Sequence, residues 1–205
     1  LHGARAETHE AFSHVPGSYQ ETLANIRLAI EAGIPVALST VLTRQSWREA
    51  AEVVALGKDL GAQHVAFNRY IGAPDPCIEP TLDEMRQVVG EIERMIAAGE
   101  KIRYGVGVPQ CFAANASDGC LAGVAYVSVD PWGSLRPCAH SPTLIGSLAN
   151  STFQQIWNGE ALAAWRALMP TECTGCAAYP TCHGGCRAVQ EIALPYKPGA
   201  FFERE

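Results

Sequence analysis

The chain has 205 residues, of which 48% are hydrophobic and 18% charged, a composition that is ordinary for a globular protein. Its formal net charge of −6 argues against a nucleic-acid-binding protein, because binding to phosphates requires a basic surface. No apolar run is long enough to cross a bilayer, and residues 1–7 lack the apolar segment of a signal peptide, so we expect a cytoplasmic protein without membrane contact.

The first predicted elements are a helix and a strand. Apolar residues at helical spacing predict a helix over 18–32 that ends at Gly33. Its expected apolar side consists of Leu23, Ile26, Leu28 and Ile30. The next segment is β-branched and almost wholly apolar, so it predicts a strand over 34–42 that is buried on both faces, as in a parallel sheet.

Capping boxes predict the start of two further helices, because a Ser or Thr stands three residues before a Glu. The pairs are Ser46 with Glu49 and Thr81 with Glu84. The predicted helices cover 46–60 and 81–99, and short strands are predicted over 64–70 and 102–108. This alternation is typical of βαβ units around a parallel sheet or barrel. The units are too few to close an eightfold barrel, so an α/β fold with a partial (βα) barrel is expected.

The character of the sequence changes after Pro109, and we predict two domains, 1–110 and 111–205. The second is expected to be a small α+β domain rich in cysteine. It contains a predicted hairpin over 125–138 with a turn at 130–133, followed by short helices over 153–157 and 161–168. Its core is expected to include Trp132, Trp157 and Trp165.

Seven of the eight cysteines lie between residues 111 and 186. A disulfide framework is not expected, because such frameworks are typical of small secreted proteins. Thiolates at this spacing indicate iron–sulfur clusters or zinc. A zinc-binding structural or peptide-recognition module without redox activity is one alternative, and its ligands would be Cys173, Cys176, Cys182 and Cys186. The other alternative is a pair of four-iron clusters. Two such clusters need eight cysteine ligands, and only seven cysteines remain when Cys77 is left out.

The spacing is Cys120-x12-Gly133-x4-Cys138, then Cys173-x2-Cys176-x5-Cys182-x3-Cys186. This pattern resembles the SPASM domain of radical S-adenosylmethionine enzymes. The segments Leu1-His2-Gly3, His9-Glu10 and Pro16-Gly17-Ser18-Tyr19 are similar to the region after the fourth strand of that family's barrel. The family's Cys-x3-Cys-x2-Cys triad does not occur here, nor does a cysteine after Cys186. We therefore expect the C-terminal portion of a longer enzyme, inactive by itself.

The resemblance implies two auxiliary [4Fe-4S] clusters. One would use Cys120, Cys138 and Cys186, with Cys111 as fourth ligand; the other would use Cys173, Cys176 and Cys182, with its fourth ligand unassigned. The intact parent would also bind S-adenosylmethionine and a third [4Fe-4S] cluster. It would modify a peptide or protein substrate and take electrons from a donor such as ferredoxin or flavodoxin. An electron carrier that has lost the catalytic half is a further alternative.

Three residues of the first domain are candidates for cofactor binding. Asn68 and Arg69 lie at the end of a predicted strand, the end that carries function in barrels. Arg69 would bind a carboxylate of cofactor or substrate, or else pair with an acid of a helix. Thr40 would contact a nucleoside, or else be a satisfied hydroxyl of the core. Cys77 is expected to be a loop thiol without a metal, and no catalytic residue is assigned.

Overall fold

A computed structural model describes residues 1–73, 75–105, 107–116 and 119–188. The chain forms two compact units, one comprising Leu1–Tyr70 and Asp75–Ser117, the other Ile71–Pro74 and Asp118–Glu205. The first unit contains α1 (Ala6–Ser13), α2 (Ser18–Glu31), β1 (Ala37–Leu42), α3 (Ala50–Leu60), β2 (His64–Arg69), α4 (Leu82–Ala97) and β3 (Ile102–Tyr104). The second contains β4 (Ser128–Val129), β5 (Ser134–Arg136), β6 (Gly146–Ser147), α5 (Phe153–Trp157), α6 (Glu160–Arg166) and α7 (Tyr179–Cys182).

The first unit is built on a parallel sheet of order β1-β2-β3, which confirms the predicted α/β character. Helices α3 and α4 contact the sheet. A Cβ at Gly57 of α3 would lie 2.7 Å from Val65 Cγ2, so glycine allows the helix to approach the sheet closely. The largest fully buried side chains of this unit include Phe67, Leu42 and Ile92. Apolar burial between helices and sheet therefore holds this unit together.

The prediction that β1 is buried on both faces is wrong. Leu38, Thr40 and Leu42 are buried, whereas Ala37 and Ser39 are exposed, so burial alternates with the pleat. The predicted apolar side of α2 is also partly wrong, because Leu28 is 62% exposed. Leu28 does not share the helical spacing that relates the buried Leu23 to Ile26 and Ile30.

The two predicted capping boxes have different outcomes. The box at Thr81 is confirmed: its hydroxyl accepts a hydrogen bond from Glu84 N–H at 3.2 Å, and the Glu84 carboxylate accepts one from Thr81 N–H at 2.8 Å. The box at Ser46 is wrong, because a 3₁₀ turn precedes α3. Glu49 instead accepts hydrogen bonds from Ala4 N–H, at 2.7 Å, and from the Thr8 hydroxyl. Those contacts fix the start of α1, a helix that the sequence did not reveal.

The second unit contains an antiparallel sheet of order β4-β5-β6. The predicted hairpin is confirmed, and its turn is held by Asp130, whose carboxylate accepts the N–H groups of Trp132 and Ser134 at 2.9 Å. The third strand, β6, was not predicted. Trp132 is 81% exposed at the tip of this turn, so its predicted place in the core is wrong.

The core of the second unit is small and rich in sulfur. Its buried members are Cys120, Ala122, Leu135, Cys138, Ile145, Ile156, Leu162, Trp165, Cys186 and Ala188. Trp165 is central, as predicted, and Trp157 packs against the cluster. Among the described residues, no helix combines the length and the apolar character that a membrane span requires.

Candidate metal centre

All eight cysteines belong to described segments, and none of them forms a disulfide. Burial separates them into groups. Cys77 and Cys111 are exposed, and Cys176 is partly buried. The buried ones are Cys120, Cys138, Cys173, Cys182 and Cys186. The structure therefore encloses most of the predicted ligands of the second unit.

Three predicted ligands of one cluster, Cys120, Cys138 and Cys186, lie in the same buried core. Cys120 begins a loop that folds back on itself, since Ala122 N–H donates to Cys120 Sγ at 3.4 Å and Gly123 N–H donates to Tyr126 O at 2.7 Å. Cys138 follows the end of β5, and Cys186 comes from the C-terminal loop. Three distant parts of the chain thus bring thiols into one apolar cluster.

Tyr126 lies near all three of these thiols. The pKa of its phenol is raised, first by desolvation and then by the neighbouring Cys120, Cys138 and Cys186. The residue nevertheless keeps 47% of its surface in solvent. The phenol therefore stands at the edge of the thiol cluster, with one side open to water.

The C-terminal loop is shaped by three consecutive residues with left-handed backbone. His183, Gly184 and Gly185 have φ values of 52°, 76° and 77°. A Cβ at Gly184 would lie 2.8 Å from Pro170 Cδ and 3.3 Å from Cys173 Sγ, so a side chain there meets both strain and a clash. This turn reverses the chain between Cys182 and Cys186.

Gly119 joins the Cys120 loop to the C-terminal loop. Its N–H donates to Thr181 O at 2.7 Å, and a Cβ at this position would lie 2.3 Å from Cys182 O. The contact is backbone against backbone, so no larger residue fits without displacing α7. A direct backbone contact therefore joins the loop that carries Cys120 to the loop that carries Cys182.

Arg187, which directly follows Cys186, is 4% exposed. Its Nη1 donates to Cys120 O at 3.0 Å, and its guanidinium carbon lies 5.5 Å from the centre of the Trp165 ring. Within the described segments, its Nε has no hydrogen-bond partner. Sequence reasoning missed both Arg187 and Tyr126; the signal for Arg187 is its position immediately after a predicted ligand.

The residues present fit a metal group that prefers sulfur. Buried thiols and an incompletely satisfied buried cation are the donor set and the charge environment of an anionic iron–sulfur group. The described residues hold no group of three or more His, Cys, Asp or Glu side chains close enough to bind a single metal ion. Cys111, the predicted fourth ligand, is exposed and belongs to the first unit.

The three candidate cofactor-binding residues of the first unit do not share one face of the sheet. Asn68 Nδ2 donates to Ser39 Oγ at 2.9 Å, on the exposed face of β1 and β2. Thr40 is buried on the opposite face, where its Oγ1 has no hydrogen-bond partner among the described residues. Arg69 lies close enough to Glu79 for its positive charge to oppose the effect of burial, which raises the pKa of that carboxyl.

Comparison with known families adds to this geometry. Residues 120–187 match the family described as SPASM, an iron-sulfur cluster-binding domain. These residues are a SPASM domain. They contain the three cysteines of the buried core, the hairpin and both cysteine-bearing loops, and the match ends at Arg187.

The relatives of the SPASM-containing chain extend the likeness into the first unit. An AdoMet-dependent heme synthase of Methanosarcina barkeri is 28% identical over 97% of this chain and 67% of its own length. A PqqA peptide cyclase of Gluconobacter oxydans is 28% identical over 90% of this chain and 55% of its own length. The chain thus spans between about half and two thirds of these relatives, and it is related to radical S-adenosylmethionine enzymes.

A solved structure supports the fold. Streptococcus suis SuiB matches 90% of this chain and 48% of its own length, with a TM-score of 0.58 and 16% sequence identity. Another crystal structure of SuiB contains S-adenosylmethionine. The match therefore covers more residues than the SPASM domain alone, and it shows that the fold is shared.

Proposed function

We propose that this chain is the auxiliary-cluster part of a radical S-adenosylmethionine maturase that modifies a peptide or protein. Residues 1–110 would contribute a partial barrel, and residues 111–205 the cluster-binding domain. The observation that carries the proposal is the match of residues 120–187 to a SPASM domain whose core contains three predicted ligands. The parallel sheet and the likeness to SuiB support the partial barrel.

The cysteines would bind two [4Fe-4S] clusters. The first ligand set is Cys120, Cys138 and Cys186, with Cys111 as fourth ligand; the second is Cys173, Cys176 and Cys182, with the fourth ligand unassigned. Shared burial of the first set supports that grouping, and contact of Gly184 with Cys173 Sγ supports a tightly folded second loop. When bound, such clusters accept or pass on an electron or help to position the substrate. The chain's part is to exclude water and to hold the thiols.

The first unit would take part in binding S-adenosylmethionine. Asn68 is the best placed of the candidate residues, because its amide lies on the exposed face of the sheet and already hydrogen-bonds Ser39. Arg69 would offer its guanidinium to a carboxylate at the end of β2. Thr40 would act from the buried face, where its hydroxyl remains without a partner among the described residues. The missing Cys-x3-Cys-x2-Cys triad would have to come from residues outside these 205.

A peptide or protein is the proposed substrate, because the PqqA peptide cyclase and a mycofactocin maturase from Mycobacterium tuberculosis are among the relatives. An electron donor such as ferredoxin or flavodoxin is the proposed partner, in the cytoplasm. A haem precursor is the second candidate substrate, because the M. barkeri relative, which matches 97% of this chain, is a heme synthase. Binding titrations of a haem precursor and of a candidate peptide distinguish the two.

Anaerobic purification tests the cluster proposal. We expect a brown protein with broad visible absorption and equal amounts of iron and acid-labile sulfide. Cys176→Ala should lose the iron of one cluster and destabilise the second unit, because metal binding and folding are coupled. The matched control is Cys77→Ala, which removes an exposed thiol outside the SPASM domain and should leave the iron content unchanged.

Three outcomes would contradict the proposal or change its ligand set. A colourless protein with stoichiometric zinc would favour the alternative, a structural or peptide-recognition module without redox chemistry. Unchanged iron in Cys176→Ala would remove that residue from the ligand set. A loss of iron in Cys77→Ala would identify Cys77 as the unassigned ligand.

A further inference from the structure

Arg187 is a buried cation to which the proposed ligand sets give no role. The side chain is 4% exposed, and within the described part of the chain it forms no ion pair with a carboxylate. The segment 173–188 contains no acidic residue. An ionised group in such a place is costly unless an opposite charge is near, so the burial of Arg187 requires an explanation.

The contacts of Arg187 point towards the thiol core. The residue is bonded covalently to Cys186, its Nη1 donates to the carbonyl of Cys120, and its guanidinium lies over Trp165. Cys120, Trp165 and Cys186 are all members of the buried cluster. The guanidinium is thus held against the segments that carry two thiols, while its Nε still has no partner among the described residues.

A four-iron cluster with thiolate ligands supplies the charge that this site lacks. Such a group carries net negative charge, and one-electron reduction makes it more negative by one unit. A fixed cation nearby stabilises the reduced form more than the oxidised form, because the attraction grows with the charge of the cluster. Since the site is enclosed by apolar side chains, solvent screens this attraction only weakly.

We propose that Arg187 is the countercharge of the cluster bound by Cys120, Cys138 and Cys186, and that it raises the reduction potential of this cluster. The inference rests on the proposed function, since it requires that this cluster is bound. Arg187 acts through its positive charge, which stabilises the reduced form of the cluster, and it is not itself a ligand. No proton is transferred in this role; the only change is the uptake of one electron by the cluster.

The test is a potentiometric titration with dithionite, followed by electron paramagnetic resonance, on the 205-residue chain reconstituted with iron and sulfide. In Arg187→Gln, which removes the charge and keeps a hydrogen-bond donor, one of the two reduction waves should move to lower potential. We expect the reduction equilibrium to become about tenfold less favourable, which corresponds to about 59 mV for one electron. Arg187→Lys keeps the charge and should stay near the wild-type potential.

Arg166 provides the matched control. It too lies over a tryptophan, with its guanidinium carbon 4.9 Å from the centre of the Trp157 ring, and it donates to Gly123 O at 2.6 Å in the loop that begins at Cys120. It is only partly buried, so solvent screens its charge. Arg166→Gln should therefore leave both reduction waves close to their wild-type positions.

The outcomes separate the inference from the proposed function. Wild-type protein that takes up no iron would overturn both. Iron-loaded Arg187→Gln with wild-type potentials would overturn the inference alone. If Arg187→Gln loses iron, retention of iron by Arg187→Lys supports the role of the charge, whereas loss in both variants shows that the shape of arginine, and not its charge, is required.

Discussion

The two units of this chain differ in the side chains that form their cores. The first buries Phe67, Leu42 and Ile92 between a parallel sheet and its helices. The second has strands of only two or three residues, and three of the ten members of its core cluster are cysteines. Small domains with little apolar surface to bury need covalent or metal cross-links. The first unit is held by hydrocarbon packing, whereas under the proposed function the stability of the second would depend on the metal group that its thiols bind.

Removal of iron should produce the largest difference between the units. Under the proposed function, a chelator under reducing conditions is expected to unfold the SPASM domain, because it removes metal–thiolate bonds that would join loops from distant parts of the chain. The first unit should keep its amide protection, since its core contains no predicted ligand. Hydrogen exchange measured by mass spectrometry reads both units in one experiment. Uniform loss of protection in both units, or none in either, would refute the contrast.

Phe67→Ala should produce the next largest effect, confined to the first unit. Phe67 is fully buried in β2, and removing its ring leaves a cavity that costs about 3–5 kcal/mol in the free energy of unfolding. Denaturant titration of the first unit measures this loss, and iron content should stay at the wild-type ratio. Trp132→Ala is the control, because an exposed ring should change stability by less than about 0.5 kcal/mol. A fall in iron content in Phe67→Ala would show that the two units are coupled.

The capping boxes of α4 and α5 allow the same substitution to be compared in both units, with a smaller expected effect on stability. Thr81 caps α4 in the first unit, and Thr152 caps α5 in the second through a reciprocal pair with Gln155. Replacing either threonine with alanine removes the hydroxyl that accepts the backbone N–H of Glu84 or Gln155, and should cost about 1 kcal/mol. Thermal unfolding before and after chelation should show the Thr152 effect only while metal is bound. An equal Thr152 effect in metal-free protein would mean that α5 folds without the metal.

Much of the fold can be predicted from the sequence, because short sequence patterns determine the helix caps and the turn. The box at Thr81 and the turn at Asp130 depend on side chains three or four residues from their partners. The failures concern partners far away in sequence. Glu49 looked like the end of a capping box, but it binds Ala4 and Thr8 more than forty residues upstream. Strand β1 looked buried on both faces, because composition alone does not tell which face the helices cover.

The candidate site shows the same division. The sequence predicts seven cysteine ligands; five of them are buried, whereas Cys111 is exposed and Cys176 is partly buried, and the ligand assignment itself stays a prediction. The spacing does not indicate Arg187 or Tyr126, because their positions beside the thiols depend on packing of the Cys120 loop against a loop more than sixty residues later. The position of Thr40 relative to Asn68 likewise requires knowledge of the pleat, which places them on opposite faces of the sheet.

The backbone contact of Gly119 with Thr181 and Cys182 has a consequence for biosynthesis. The ribosome makes Cys120 several seconds before it makes Cys182 and Cys186, at the usual rate of about 5–20 residues per second. During that interval the nascent thiol has no partner loop to enclose it. Under the proposed function, translation would set the order of events: the first unit could fold before the last cysteines emerge, and iron would be delivered after them.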